Sequence, residues 1–169
     1  MTRTTHHTSL AATLAVGSEL SRRGYDVAFT IGNTPRVDLL CAVPDGQPFK
    51  IQVKGISNPN GFWVQKAFFE AHLQQELFLI IVLVPPAADT SLRFFVLSHS
   101  DAQQESSKMP TRKRDGRLYQ NGSGLNWGSI KPYEDKWDKL PMVAATANRR
   151  SPSKRIQPRR SRAAADTPL

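Results

Sequence analysis

The chain has 169 residues, 39% of them hydrophobic, and its 23 Lys and Arg against 14 Asp and Glu give a net charge of +9. That length suffices for one hydrophobic core and an appended segment without disulfides or structural metal. Cys41 is the single cysteine, which excludes an internal disulfide and a cysteine-based zinc site, and it reads as a buried free thiol of a protein in a reducing compartment.

Residues 1–8 lack the apolar stretch of a secretory leader, so the chain is expected in the cytoplasm. His6 and His7 have no partner at ligand spacing and read as exposed residues at a helix entry. Residues 9–23 are a predicted helix whose apolar face is Leu10, Leu14, Gly17 and Leu20, closed by Gly24 as a left-handed cap behind Arg22 and Arg23. Glu19, at the edge of that stripe, is expected to lean over the sheet. A strand follows over 25–30, a turn over 32–35, and a second strand over 36–43. Asp45-Gly46 between two prolines marks a hairpin, so residues 49–54 form a third strand antiparallel to the second, ended by Gly55.

Residues 57–61 read as a polar loop, 62–64 as a short strand and 65–76 as a helix. The apolar run 77–84 is a buried strand stopped by Pro85-Pro86, far too short to span a bilayer. Another strand covers 92–97, and Ser98 to Asp101 offer capping oxygens for a helix through about Ser107. Residues 133–140 are a predicted final helix, with Trp127, Tyr133 and Trp137 as core-closing aromatics.

Asp38 lies on the second strand and Gln52 and Lys54 on the third. Two residues apart, Gln52 and Lys54 leave the same face, while Ile51 and Val53 leave the other. The hairpin brings Asp38 to the same end of the sheet. An acid beside an oxygen donor can hold a hard divalent cation, and a neighbouring lysine can balance charge or help activate water at a phosphodiester.

Glu19, the Arg36-Val37-Asp38 segment and Gln52-Val53-Lys54 together resemble the PD-(D/E)XK nuclease superfamily, particularly its resolvase-like and restriction-endonuclease-like members. The resemblance covers the first half of the chain well and the rest by element order. It implies an α/β fold with a restriction-endonuclease-like core, a central mixed β-sheet flanked by helices, over residues 1–142. It further implies a metal-dependent endonuclease acting on DNA, with Glu19, Asp38, Gln52 and Lys54 as catalytic residues. Mg²⁺ or Mn²⁺ would be held by Asp38, Gln52 and the Val53 main-chain carbonyl, with Glu19 reaching it through water. Two departures stand out: Pro35 is three residues ahead of Asp38 instead of directly before it, and Gln52 replaces the family's usual carboxylate. The alternative on the same fold is an inactive nucleic-acid-binding or accessory protein. A homodimer would place two sites for two-strand cutting.

Residues 143–169 hold seven basic residues against Asp166 alone, a net of +6, which leaves +3 for the remainder. Their Ser, Pro, Arg and Ala composition cannot build a core, so they read as a disordered tail, either a solubilising extension or an arm that touches phosphates. Within the folded part, Lys108, Arg112, Lys113, Arg114 and Arg117 form the best basic loop for nucleic-acid backbone contact, with an ordinary solvated turn as the alternative use. If the tail is an arm, removing 143–169 will lower the slope of log affinity against log salt by about 0.9 for each phosphate that the arm had neutralised. Fluorescence anisotropy across a salt series measures this, and an unchanged slope would leave the tail with no role at the phosphates.

Overall fold

The computed structural model describes residues 4–30, 37–44, 46–60, 62–64, 68–69, 72, 74–108 and 124–143. Its first element is helix α1, Thr5–Arg22, capped by the Thr4 side chain and His7 in a reciprocal pair. Strands β1 (Asp26–Phe29), β2 (Leu39–Ala42) and β3 (Pro48–Ile56) follow, then β4 (Phe62–Trp63), β5 (Leu77–Leu83) and β6 (Arg93–Ser98). Helix α2 spans His99–Ser107, and β7 (Gly124–Leu125), a short helix α3 (Trp127–Ile130) and two 3-10 turns, Lys131–Tyr133 and Trp137–Lys139, complete the described chain.

Five strands form a mixed sheet in the order β1-β2-β3-β5-β6. β2 is antiparallel to β1 and β3, β5 runs parallel to β3, and β6 is antiparallel to β5. The parallel step requires a crossover between β3 and β5. β4 and β7 pair separately.

The sheet separates two hydrophobic clusters, as expected of a layered α/β fold. On one face Ala12, Val16 and Leu20 of α1 cover Leu39, Cys41, Phe49, Ile51, Val53, Ile80 and Val82. On the other, Ala102 of α2 joins Phe68, Leu77, Leu79, Ile81, Phe95, Leu97 and Leu125. β5 is buried throughout because it has a strand on each side and apolar packing on both faces. Cys41 is buried in the α1 layer, and desolvation pushes its thiol up to about 12.

Several elements differ from the sequence pattern. α1 begins at Thr5 instead of Ser9, and its buried residues are Thr8, Ala12, Val16, Gly17 and Leu20, whereas Leu10 is 48% and Leu14 53% exposed. Small residues at four-residue spacing let the helix lie close to the sheet, and that turns the two larger leucines outward. β3 runs through Gly55 to Ile56, carried by its parallel pairing with β5. A Cβ at Gly55 would sit 2.6 Å from the Thr8 carbonyl oxygen, so the glycine permits the close approach of α1 instead of ending the strand. Of the expected helix over 65–76, Phe68 and Phe69 are helical, Gln75 and Glu76 form a turn, and most of the rest lies outside the described residues. The final helix is instead the two 3-10 turns, which still bury Trp137 against the α1 layer and pack Tyr133 on the other, where Trp127 of α3 also lies.

His99, buried at the start of α2, joins β6 and the segment before β5. Its Nδ1 accepts from Gln74 N at 3.1 Å, which leaves Nε2 to donate to the Phe68 carbonyl at 2.7 Å. Arg93 on β6 donates two bonds to the Glu134 carboxylate, at 2.6 and 2.7 Å, and this holds Glu134 below the usual carboxylate range.

A pair of glycine variants tests how close α1 lies. Gly55→Ala meets backbone and is expected to lose about 1–3 kcal/mol of stability. Gly17→Ala meets only the half-exposed Phe29 ring, which can swing aside, and gains up to about 1 kcal/mol of helix propensity. Denaturant unfolding should rank Gly55→Ala below wild type and Gly17→Ala level with it or above; equal values for both would remove the close-packing argument.

Candidate active site

β2 enters the ladder one residue after Asp38, and the backbone there is irregular. The Asp38 N–H bonds the Ile51 carbonyl of β3 at 2.8 Å, while its own carbonyl accepts from Thr30 N, beyond the end of β1, at 3.0 Å. In a regular strand both groups of one residue point to the same neighbour. Here they point to opposite ones, as at a bulge, and the side chain is re-aimed along β3.

The re-aimed carboxylate continues the ladder by itself. Asp38 Oδ2 accepts from the Val53 N–H at 2.7 Å and from Gln52 Nε2 at 2.6 Å. Burial raises the Asp38 pKa, and the Val53 hydrogen bond opposes that shift without cancelling it. The amide that gives its nitrogen to Asp38 leaves Gln52 Oε1 buried with no partner. Such an oxygen costs about 1–3 kcal/mol unless something supplies a donor or a positive charge. Residues 51 and 53 direct their backbone groups toward β2, so the Val53 carbonyl faces the side from which Asp38 approaches.

The face of each side chain follows from the register. Gln52 pairs with Leu79 and Lys54 with Ile81, residues of the α2 layer, so both lie on the sheet face opposite α1. Among the described residues Lys54 makes no ion pair. Asp38 and Gln52 are thus joined by a hydrogen bond, and Lys54 follows Gln52 on the same face of β3. Glu19 is not joined to them. Its two oxygens are taken by Arg22 at 3.1 Å and Arg23 at 2.8 Å, toward the C-terminal end of α1. Thr8 and Ala12 are the residues that face Gly55, and Glu19 is seven positions beyond Ala12, about 10 Å along the helix axis.

Of the basic loop, Lys108 caps the end of α2 and pairs with Glu105 at 2.7 Å, while Arg112, Lys113, Arg114 and Arg117 lie outside the described residues, as do Arg36 and Asp45. No group of three or more His, Cys, Asp or Glu arranged to hold a metal occurs among the described residues. Among them, too, no helix is long and apolar enough to cross a membrane. No protein-family model matches the chain, and neither a curated protein nor a solved structure is found to be similar to it.

Sequence reasoning missed the orphaned Gln52 oxygen and the bulge at Asp38. A polar residue at an inward position of β3 was the available signal for the first. The second depends on where β2 begins, which no residue type announces.

The raised pKa of Asp38 has a stability consequence with a definite sign. Its contribution is fully present below the ordinary value of 3.8, where the carboxyl is protonated in both folded and unfolded chains, and is lost as pH rises through the raised folded value. At neutral pH the ionised group therefore costs stability. Asp38→Asn keeps an oxygen for the same two donors, so its melting temperature at pH 7 should equal or exceed that of wild type, with the gap closing below about pH 4. A clearly lower melting temperature at pH 7 would make the carboxylate a net stabiliser and contradict this account.

Proposed function

We propose that the chain is a metal-dependent endonuclease hydrolysing DNA phosphodiester bonds, with a restriction-endonuclease-like core of the PD-(D/E)XK kind. The observation that carries this reading is the pairing of Asp38 with Gln52 where the β2 ladder on β3 ends, with the amide oxygen buried and unpartnered and Lys54 next on the same face. A buried amide oxygen without a donor, beside a carboxylate, suits a cation better than it suits a purely structural hydrogen bond.

The donor set fits one hard divalent ion. Asp38 supplies the charge, and Gln52 Oε1 and the Val53 carbonyl supply neutral oxygens, a sparse set that matches the habit of Mg²⁺ or Mn²⁺ of keeping several waters. When bound, such an ion polarises a phosphoryl oxygen and makes a coordinated water more acidic. Asp38 must be ionised to serve, and a cation beside it would offset the burial that raises its pKa. Lys54 would orient the attacking water and balance the charge that grows on the phosphoryl oxygens. Glu19 has no direct part in this reading, because Arg22 and Arg23 hold it on the α1 side of the sheet.

That same separation favours a second reading, an accessory nucleic-acid-binding protein on the same core. With Glu19 engaged elsewhere, Asp38 is the one carboxylate of the cluster, and a single carboxylate with a neutral amide binds divalent ions weakly.

Cleavage of supercoiled, linear and branched DNA in Mg²⁺ and in Mn²⁺ separates the two. The endonuclease reading expects wild-type cleavage, reduced about a hundredfold or more by Lys54→Ala and abolished by Asp38→Asn. Binding without cleavage in both metals, unchanged by Lys54→Ala, would establish the accessory role instead.

A further inference from the structure

We infer that the cleft at the C-terminal end of β3 seats the sugar-phosphate backbone flanking the phosphodiester held at Asp38 and Gln52, which rests on the endonuclease reading above. Because β2 pairs with β3 only as far as Ile51, the strand from Val53 onward has no ladder neighbour on that side among the described residues. Gly55 draws the first turns of α1 against this stretch. Between them, at the end of the sheet, lies a cleft of about 570 Å³, bordered by Thr4, Thr5, Lys54, Ser57 and Asn58 with Phe62 and Pro86 on its apolar side.

Three features of the lining specify the occupant. Among the described residues Lys54 is its one ionisable group, and none of them brings a carboxylate to it. Its remaining polar side chains are hydroxyls and an amide, the groups that with lysine make most contacts to nucleic-acid backbone. Lys54 also belongs to the candidate active site, two residues from Gln52, so the cleft starts where that cluster ends. A small anion would need only the lysine end. A cleft of this volume extending from Lys54 past Asn58 to the first turn of α1 fits a longer polyanionic strand.

Two variants place a negative charge in the cleft without touching the cluster. Thr5→Glu adds it at the first residue of α1, where a carboxylate favours the helix, and Asn58→Asp adds it in the exposed loop after β3. Melting temperatures check that both fold. Full-length wild type and variants are titrated onto a labelled DNA duplex with Ca²⁺ replacing Mg²⁺, and cleavage is assayed separately in Mg²⁺ and Mn²⁺. Each variant is expected to bind about tenfold more weakly at low salt, with a salt slope lower by about 0.9. A single uncharged methylphosphonate, scanned along one strand, should weaken wild type at one position and leave Thr5→Glu unaffected there.

Wild-type cleavage, with both variants binding within twofold of wild type, overturns this seat and leaves the endonuclease reading standing. Weakened variants alongside a wild type that never cleaves support the seat and sink the endonuclease reading. Displacement of the duplex by millimolar inorganic phosphate at constant ionic strength would reassign the cleft to a free anion, and a wild type that binds no DNA would end both proposals.

Discussion

One carboxylate oxygen, Asp38 Oδ2, closes the β2-β3 ladder and orients the candidate site at once. It takes the Val53 N–H that a longer β2 would have taken through its backbone, and it takes the Gln52 amide hydrogen beside it. The first bond replaces sheet with side chain. The second turns the Gln52 amide so that its oxygen is buried and alone. Charge-assisted bonds of this length are among the stronger ones a protein makes, so the arrangement is held firmly although the ionised group is disfavoured by its surroundings. The pair is therefore stressed electrostatically and well ordered geometrically.

The two faces of the sheet explain why some residues cooperate and others cannot. Odd residues of β3 from Phe49 to Val53 are packed under α1, while Gln52 and Lys54 share the opposite face with the α2 layer. A carboxylate on α1, such as Glu19, must round the strand edge to meet them, and its two arginine partners hold it near the far end of the helix. The second layer is closed by polar ties as well as by apolar packing. Tyr133 donates to Glu105, and burial together with the Asp101 and Glu105 carboxylates lifts its phenol to about 12; Lys139 pairs with Asp101 at 2.9 Å. These ties fasten the last described turns to α2, at a distance in sequence that no local pattern records.

The parts legible in the sequence were those governed by short-range rules. Alternation along 49–54 sorted Ile51 and Val53 from Gln52 and Lys54, the Gly46 turn gave the antiparallel hairpin, the continuous run at 77–83 gave a strand buried on both faces, and Ser98 with Asp101 gave the cap of α2. The buried stripe of α1 was not legible. Periodicity rewards large apolar residues, and this helix buries Thr8, Ala12 and Gly17 while exposing Leu10 and Leu14. Gly55 misled for a related reason: glycine is read as a strand terminator, whereas here it removes a side chain where two backbones meet. The gathering of Asp38 with Gln52 was foreseen from the hairpin, but the orphaned oxygen and the cleft arise from where β2 begins and how near α1 comes, and both are set by tertiary packing.

β3 lives in two environments along its length. Up to Ile51 it is an interior strand, bonded on both sides; past Val53, among the described residues, β5 is its one strand partner. Amides early in the strand can exchange with solvent only when the sheet itself opens, whereas that of Gly55, turned to the unpaired side, answers to local breathing. Gln52 stands at the limit of the doubly paired part and Lys54 beyond it, so two side chains of one face rise from backbone with different support.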